Sequence, residues 1–450
     1  MASGQGNGQF QSKQFVSVAP VNSGEQVFGY SSGLPQITFQ MGSQGILQAD
    51  ELRLTGTLKI VANGSQGTNL VDAAQDVSIN AFTGVESCID ELEISSTGYG
   101  RSLEYVQHYG QCNASVNSAL HSKSMYDSHL SHEQGSLGSG ICTSQSLDNS
   151  INDDPLAVSL AGQRQAQIIG LRSVLGREFS CRLVAGMFLG GAELSMGDLG
   201  GLTIRLKLAP NEQVLFGAAA SGYHYEIHNP LLIASVMVES PEAEAARLAN
   251  PQPLIPFLQY QSYYNNIIST DFSVVHRTNL AAVLSSFTHF VPSSYLNNYA
   301  QDGYAQYNPA INNITFLKDG QRVPLTYEIL NDRDAQAASE AVQPSTNPVI
   351  LYNYLSAWKS PNAFGKSSVN SLNSGWTATS GGNGVFGIGC SYDVEGYGVG
   401  ARLSTLGFNI KSNLSLPSAP TAQIPFSAFT FYLCKSAVRV DRQQGVMTSV

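Results

Sequence analysis

Two stretches of the chain read alike: "GGLTIRLKLAP", Gly200 to Pro210, and "LGFNIKSNLSLP", Leu406 to Pro417. In each, apolar residues alternate with basic or small polar ones and a proline closes the run, which is the pattern of a half-buried strand. Leu202 and Phe408 lie 206 positions apart (408 − 202), as do Ile204 and Ile410, and Leu208 and Leu414. The neighbouring segments follow suit. "FSCRLVAGMF" precedes the first stretch and "YHYEIHNPLLIASVMV" follows it; "FGIGCSYDVEG" and "FTFYLCKSAVRV" flank the second. Tyr225 and Tyr432 fall 207 apart (432 − 225), close to the same offset. A three-strand unit used twice restricts the chain to two β-domains of one kind in tandem. It also predicts that superposing the halves lays Leu202, Ile204 and Leu208 onto Phe408, Ile410 and Leu414.

The length agrees. A chain of 450 residues exceeds one hydrophobic core and suits two domains of about 200 residues each. In "DELRLTGTLKIV" the residues Leu52, Leu54, Leu58 and Ile60 fall on one strand face. "GVESCIDELEIS", "SLEYVQHY", "TDFSVVH", "LAAVLSSFTHFVP" and the strand–turn–strand "ITFLKDGQRVPLTYEI" repeat that grammar. Two helices interrupt it. "SPEAEAARLANP" has Ser240 as a cap, Pro241 in the first turn and acidic residues at its positive end. "NDRDAQAASEAVQ" is capped by Asn331 or Asp332 and stopped by Pro344. Asn113 to Asp154 reads as a long surface loop, and "PLAVSLAGQRQAQIIGLRSVLG" fits a helix or two short strands equally. Many short strands, long loops and few helices describe an all-β chain of two tandem antiparallel sandwiches, and jelly rolls are the sandwiches expected to carry the longest loops at one end. The division expected is an extended N-terminal arm at 1–44, a first roll at 45–240, a helical linker at 241–251 and a second roll at 252–450.

Charge narrows the function. Charged residues are only 12% of the chain and the net charge is −10. The surface is therefore built from Ser, Asn, Gln, Thr, Gly and Tyr, with few long charged side chains to immobilise in a contact. The first 40 residues hold one basic residue, Lys13, which excludes a basic arm that neutralises nucleic acid and makes strong direct nucleic-acid binding unlikely. The arm's isolated aromatics, Phe10, Phe15, Phe28 and Tyr30, suit a segment that folds by docking onto something else. No run of 18 apolar residues occurs, and "MASGQGNGQFQSKQF" lacks the apolar core of a secretion signal. On that footing the sequons at Asn63, Asn113, Asn313 and Asn413 are chance matches, and the six scattered cysteines are buried thiols in a reducing compartment.

No catalytic constellation emerges. "FGKSS" lacks the glycine that a phosphate-binding loop needs at Ser360, "GSLGSG" lacks the serine order of a nucleophile elbow, and "GGNGVFGIG" leads into no helix. Asp127, His129, His132 and Glu133 could gather round a metal but sit in a polar loop. His224 and His228 share a strand face and could pair on a metal, although a half-exposed strand histidine is the plainer reading. Asp153 and Asp154 adjoin Pro155 as a turn. Tyr260, Tyr263 and Tyr264 could stack sugars or pack at an interface. The expected catalytic, cofactor and metal sites are none.

With these segments in order, the chain resembles the double jelly-roll major capsid proteins, nearest to those of polinton-like viruses, adintoviruses and virophages. The resemblance rests on "GVESCIDELEIS…GRSLEYVQHY", "FSCRLVAGMFLGGAELSMGDLGGLTIRLKLAP" and "YHYEIHNPLLIASVMV" in the first half. In the second half it rests on "NLAAVLSSFTHFVP", "FLKDGQRVPLTYE", the helix before "NPVILYNYL", and "FYLCKSAVRVDRQQGV". Order and spacing carry it, from about Leu47 to Val446. It implies two eight-stranded jelly rolls, a homotrimer forming a pseudo-hexagonal capsomer, an icosahedral shell assembled inside the host cell, and penton, cement and membrane-associated partners. It carries over no active-site residue. The competing class is a secreted two-sandwich adhesin or fibre protein that binds glycans, with Trp358, Trp376 and the tyrosines as platforms. A jelly-roll hydrolase would need paired carboxylates on facing strands, and no clear pair shows.

Overall fold

The computed structural model describes residues 10–21, 27–31, 34–64, 77, 79–80, 83–120, 177–188, 193–304, 306–307, 309, 311–323, 329–330, 387–392, 401–412, 414 and 422–449. The first half begins with strands β1 (Phe10–Val18), β2 (Val27–Phe28), β3 (Gln36–Met41) and β4 (Ile46–Ala62). Strands β5 (Ile89–Ser96) and β6 (Ser102–Gln107) lead into helix α1 (Tyr109–Leu120). Strands β7 (Arg177–Arg182), β8 (Glu193–Ser195), β9 (Leu202–Leu208) and β10 (Tyr223–Glu239) complete it. Two antiparallel sheets result, one ordered β3-β9-β5-β6 and the other β1-β10-β4-β7, with β2 on β10 and β8 on β4. The alternation read from sequence drives their packing: Leu52, Leu54, Leu58 and Ile60 of β4 and Leu202, Ile204, Leu206 and Leu208 of β9 are all buried in one core.

After helix α2 (Pro241–Leu248), the second half runs through β11 (Leu254–Ile267), β12 (Asp271–Pro292), β13 (Ile311–Lys318), β14 (Gln321–Val323) and β15 (Ile329–Leu330). It ends with β16 (Gly387–Ser391), β17 (Ala401–Ser412), β18 (Phe426–Asp441) and β19 (Val446–Ser449). One continuous sheet forms, ordered β11-β18-β12-β17-β13-β14. It is continuous because β12 is 22 residues long and changes partners along its length. Asp271–Arg277 pairs with β17, and after irregular register near Leu280, Val283–Pro292 pairs with β18. In the first half the same path is broken into β3 and β4 by a turn at Gly45, whose φ of 76° favours glycine.

The pairing pattern makes the halves equivalent. β9 lies between β3 and β5 as β17 lies between the start of β12 and β13. β10 lies between β1 and β4 as β18 lies between β11 and the end of β12. Two tandem jelly rolls are thus present, and the strands that opened the sequence reading hold the same place. Two registers fit the burial pattern of the repeat. Leu202–Leu208 reads buried, buried, buried, exposed, buried, exposed, buried, and Leu406–Ser412, at an offset of 204 (406 − 202), reads the same except for a half-buried Asn409. The expected offset of 206 likewise lays buried Leu202, Ile204 and Leu208 onto buried Phe408, Ile410 and Leu414. A two-residue slip preserves the inside–outside pattern, so alternation alone does not distinguish the two alignments.

Local chemistry met other expectations unevenly. Helix α2 is capped as its sequence dictates, the Ser240 hydroxyl accepting from the Ala243 N–H. The turn between β13 and β14 places Asp319 and Gly320 both at positive φ, as a two-residue hairpin requires. The stretch expected as an extended arm instead contains three sheet strands: β1 and β2 dock on β10 of their own chain, and β3 is a buried partner of β9. Residues 113–120, expected in a surface loop, are helical within α1, and Asn113 and Ser115 are buried, the Ser115 hydroxyl bonded to His289 of the second roll. The remainder of that loop, the 155–176 segment and the 331–343 helix lie outside the described residues.

Candidate interaction faces

The second roll's sheet of β11, β18 and the end of β12 has two occupied faces. Along β18, Ala428, Tyr432 and Cys434 join the second roll's own core, while Phe429, Phe431 and Leu433 join the core of the first. Tyr260 of β11 and Phe287 and Val291 of β12 do the same. This strand is apolar on both sides, which strict alternation with solvent would not produce. The rings interlock: Phe287 stacks on Phe431 at 5.3 Å, His289 on Phe429 at 5.3 Å, and Tyr260 meets Phe287 edge-on at 6.0 Å.

Polar side chains fix how this face sits on the first roll. His289 is buried, with Nε2 2.8 Å from Gln111 Oε1 and Nδ1 2.6 Å from the Ser115 hydroxyl. Gln111 gives its amide N–H to the Gly303 carbonyl at 2.8 Å, so its oxygen faces His289. The imidazole therefore donates from Nε2 and accepts at Nδ1. Burial, with nearby His108, depresses its pKa to about 3, in keeping with that neutral tautomer. Asn80 donates to Asp302 at 2.7 Å and the Tyr304 hydroxyl to the Ser87 carbonyl at 2.7 Å. The buried carboxylate of Glu104 on β6 accepts from backbone N–H groups on both rolls. At the linker, Arg247 of α2 pairs with Glu239 at 3.0 Å and with Asp198 at 3.1 Å, and Arg442 of the second roll pairs with the same Asp198.

The equivalent face of the first roll is open. β10 turns Leu232 and Ala234 into the core, leaving Leu231 and Ile233 on the outer side. Phe15 of β1 lies opposite Ser235. Phe15 is 74% and Leu231 37% exposed. A second exposed surface, over β3, β9, β5 and β6, is a charged ladder: Arg205–Glu93 at 2.5 Å, Lys207–Glu91 at 2.5 Å, and Tyr105 donating to Glu91 at 2.6 Å. It borders an open depression of about 320 Å³. Its cations and carboxylates are already paired.

The candidates read from sequence fare variously. His224 and His228 do share a face, and both point Nε2 at the carboxylate of Glu226 between them, at 3.2 and 2.8 Å. His224 also faces Asn63 Oδ1 at 3.1 Å. The tyrosine triplet is divided. Tyr260 is buried between the rolls, Tyr263 stacks on His276 at 4.3 Å on the opposite sheet face, and Tyr264 is part-exposed beside Phe429; successive residues of a strand point to opposite faces, so the three form no single platform. Among the described residues no group of three His, Cys, Asp or Glu is placed to hold a metal. Among them, no helix is long and apolar enough to cross a membrane. Cys88, Cys112, Cys181, Cys390 and Cys434 are free and buried. Asp127, His129, His132, Glu133, Asp153, Asp154, Trp358 and Trp376 lie outside the described residues. Glu104, His289 and Gln111 carried no sequence signal beyond their polarity.

No family model and no curated protein matches the sequence. Solved structures do. The chain is similar to the protein in the cryo-EM structure of the Sputnik virophage, with 13% identity, a TM-score of 0.56, and coverage of 98% of this chain and 89% of that one. It is similar to the Faustovirus major capsid protein at 9% identity and TM-score 0.55, covering 95% and 90%. PBCV-1 VP54, fitted into a reconstruction of Sputnik, gives 10% identity and TM-score 0.54, covering 98% and 97%. The architecture is therefore a tandem pair of jelly rolls. More particularly, it is the double jelly-roll fold of viral major capsid proteins, over nearly the whole chain.

Proposed function

We propose that this chain is a viral major capsid protein without enzymatic activity, which trimerises into pseudo-hexagonal capsomers and tiles an icosahedral shell in the virion. The observation that carries the reading is the unequal use of two equivalent faces. Within the chain, the second roll's outer sheet face is covered by α1, β6 and the turns of the first roll. The first roll's own outer face keeps Phe15 and Leu231 in solvent. A neighbouring copy that repeats the contact head to tail would use the second-roll counterpart of α1 and β6. Head-to-tail contacts close into rings when the rotation permits, and six rolls from three chains complete one turn of six similar contacts. The sparse charge suits a surface buried against many neighbours. Penton and minor capsid proteins, and a membrane-associated protein beneath the shell, are the further partners this reading implies.

The test is the mass of the purified protein by light scattering, with its outline in negative-stain electron microscopy. A three-chain particle of hexagonal outline is expected. A monomer at micromolar concentration that binds glycans would favour the adhesin reading instead.

A further inference from the structure

Glu104 is the residue of this structure most at odds with its surroundings. It lies on β6 within "SLEYVQ", where solvent is the ordinary place for a glutamate, yet it is only 2% exposed. Among the described residues no cation compensates it: the titratable groups that face it are Cys112 on α1, Tyr260 on β11 and Cys434 on β18. All three are held in their neutral forms by burial. Its partners are backbone N–H groups. Oε1 accepts from Gly186 at 2.8 Å and from Tyr260 at 2.8 Å, and Oε2 accepts from Met187 at 2.9 Å. Gly186 and Met187 form a 3-10 turn of the first roll, and Tyr260 belongs to the second. One carboxylate oxygen is thus shared by the two rolls.

At the same turn the backbones of the two rolls are in contact. A Cβ on Gly186 would lie 2.6 Å from Gln259 Cα and 2.7 Å from Gln259 N, distances that no side chain tolerates. Glycine and carboxylate therefore act together: the first lets the turn touch β11, and the second ties the touching strands through N–H groups that neither sheet satisfies. Apolar packing such as that of Phe287 and Phe431 against the first roll can slide at little cost. Three directional bonds to a single buried group cannot, because each N–H left unpaired inside the protein is costly.

We propose that Glu104 and Gly186 form a clamp that sets the angle between the two rolls, with the Glu104 carboxylate as the positioning group. The inference does not depend on the capsid reading. Burial raises the Glu104 pKa from 4.5 to about 7 against the pull of the three N–H bonds. For a carboxyl group raised in the folded state, the stability it contributes is full below the unfolded value and is lost as pH rises through the folded one. Ionising the clamp as pH rises through about 7 therefore costs stability, as burying a charge does.

Residue-resolved hydrogen exchange on the full chain tests it, with three variants. In Glu104→Ala, the amides of Gly186, Met187 and Tyr260 should exchange at least tenfold faster, while those of Ile204 and Phe408 in the two cores keep their protection. Glu104→Gln keeps one oxygen for Gly186 and Tyr260 and turns an amide N–H toward Met187. It should therefore lose protection at Met187 alone, and it should abolish the part of the thermal midpoint's pH dependence that falls between about pH 4.5 and 7. Gly186→Ala should deprotect Tyr260 with Glu104 intact. Unchanged protection at these amides in Glu104→Ala would overturn the proposal. So would a uniform fall across both cores, which would make Glu104 merely structural. If Glu104→Ala does not fold, the Gln variant decides: loss of Tyr260 protection there is equally fatal.

Discussion

The two rolls use one strand plan for opposite purposes. β18 and β10 occupy equivalent places, yet the outward residues of β18 are Phe429, Phe431 and Leu433, all buried against the first roll, while β10 presents Leu231 and Ile233 at the surface. Paired charges and threonines accompany the open face, where Lys13 reaches Glu51 at 2.6 Å. A duplicated fold thus separates by what each copy's outer face touches. The inner cores stay interchangeable in pattern, because a half-buried strand needs only alternation to pack.

Perturbing each face in turn should break the comparison in a graded way. Phe431→Ala removes a ring stacked between the rolls and should cost about 3–5 kcal/mol of stability, read as a lower urea midpoint. A loss below 1 kcal/mol would mean that the inter-roll face is not a core.

His289 separates the faces by pH. Its folded pKa lies below its unfolded value, so the stability it supports is present above about pH 6.5 and is lost as pH falls toward about 3. His289→Gln should cost about 1–3 kcal/mol at pH 7.5 through its two buried hydrogen bonds. It should also remove part of the acid sensitivity, so the gap between variant and parent narrows at pH 5. The opposite slope expected from Glu104 distinguishes the two groups within one titration.

On the open face, Phe15→Asp combined with Leu231→Asp should leave monomer stability within about 0.5 kcal/mol, as exposed substitutions usually do, and convert a self-associated species into a monomer in light scattering. Persistence of the native mass would place the contact elsewhere. The smallest effect belongs to the charged ladder. Arg205→Ala should change the thermal stability by no more than about 1 kcal/mol, and less in high salt, because both partners are exposed.

Much of this was legible beforehand. The β4 stripe of Leu52, Leu54, Leu58 and Ile60, the Ser240 cap, the Asp319–Gly320 turn and the tandem repeat are local patterns, and they appear as written. Residues 36–41 were misread as arm because "QITFQM" is short and set among glycines, so only its partner β9 reveals it as a sheet strand. The later turns of α1 were misread as loop because "NASVNSAL" is small and polar. Its Ser115 is buried where it meets His289, 174 residues away.

The sequence by itself therefore determined the class of structure: alternation at period two, repeated at nearly constant offset in a chain too long for one core, leaves two sandwiches as the economical solution. It also determined a surface poor in charge. Only the tertiary structure decided which sheet face is spent inside the chain and that Glu104 is buried. These depend on contacts between residues far apart in sequence, and a buried glutamate leaves no trace in a pattern that records only neighbours.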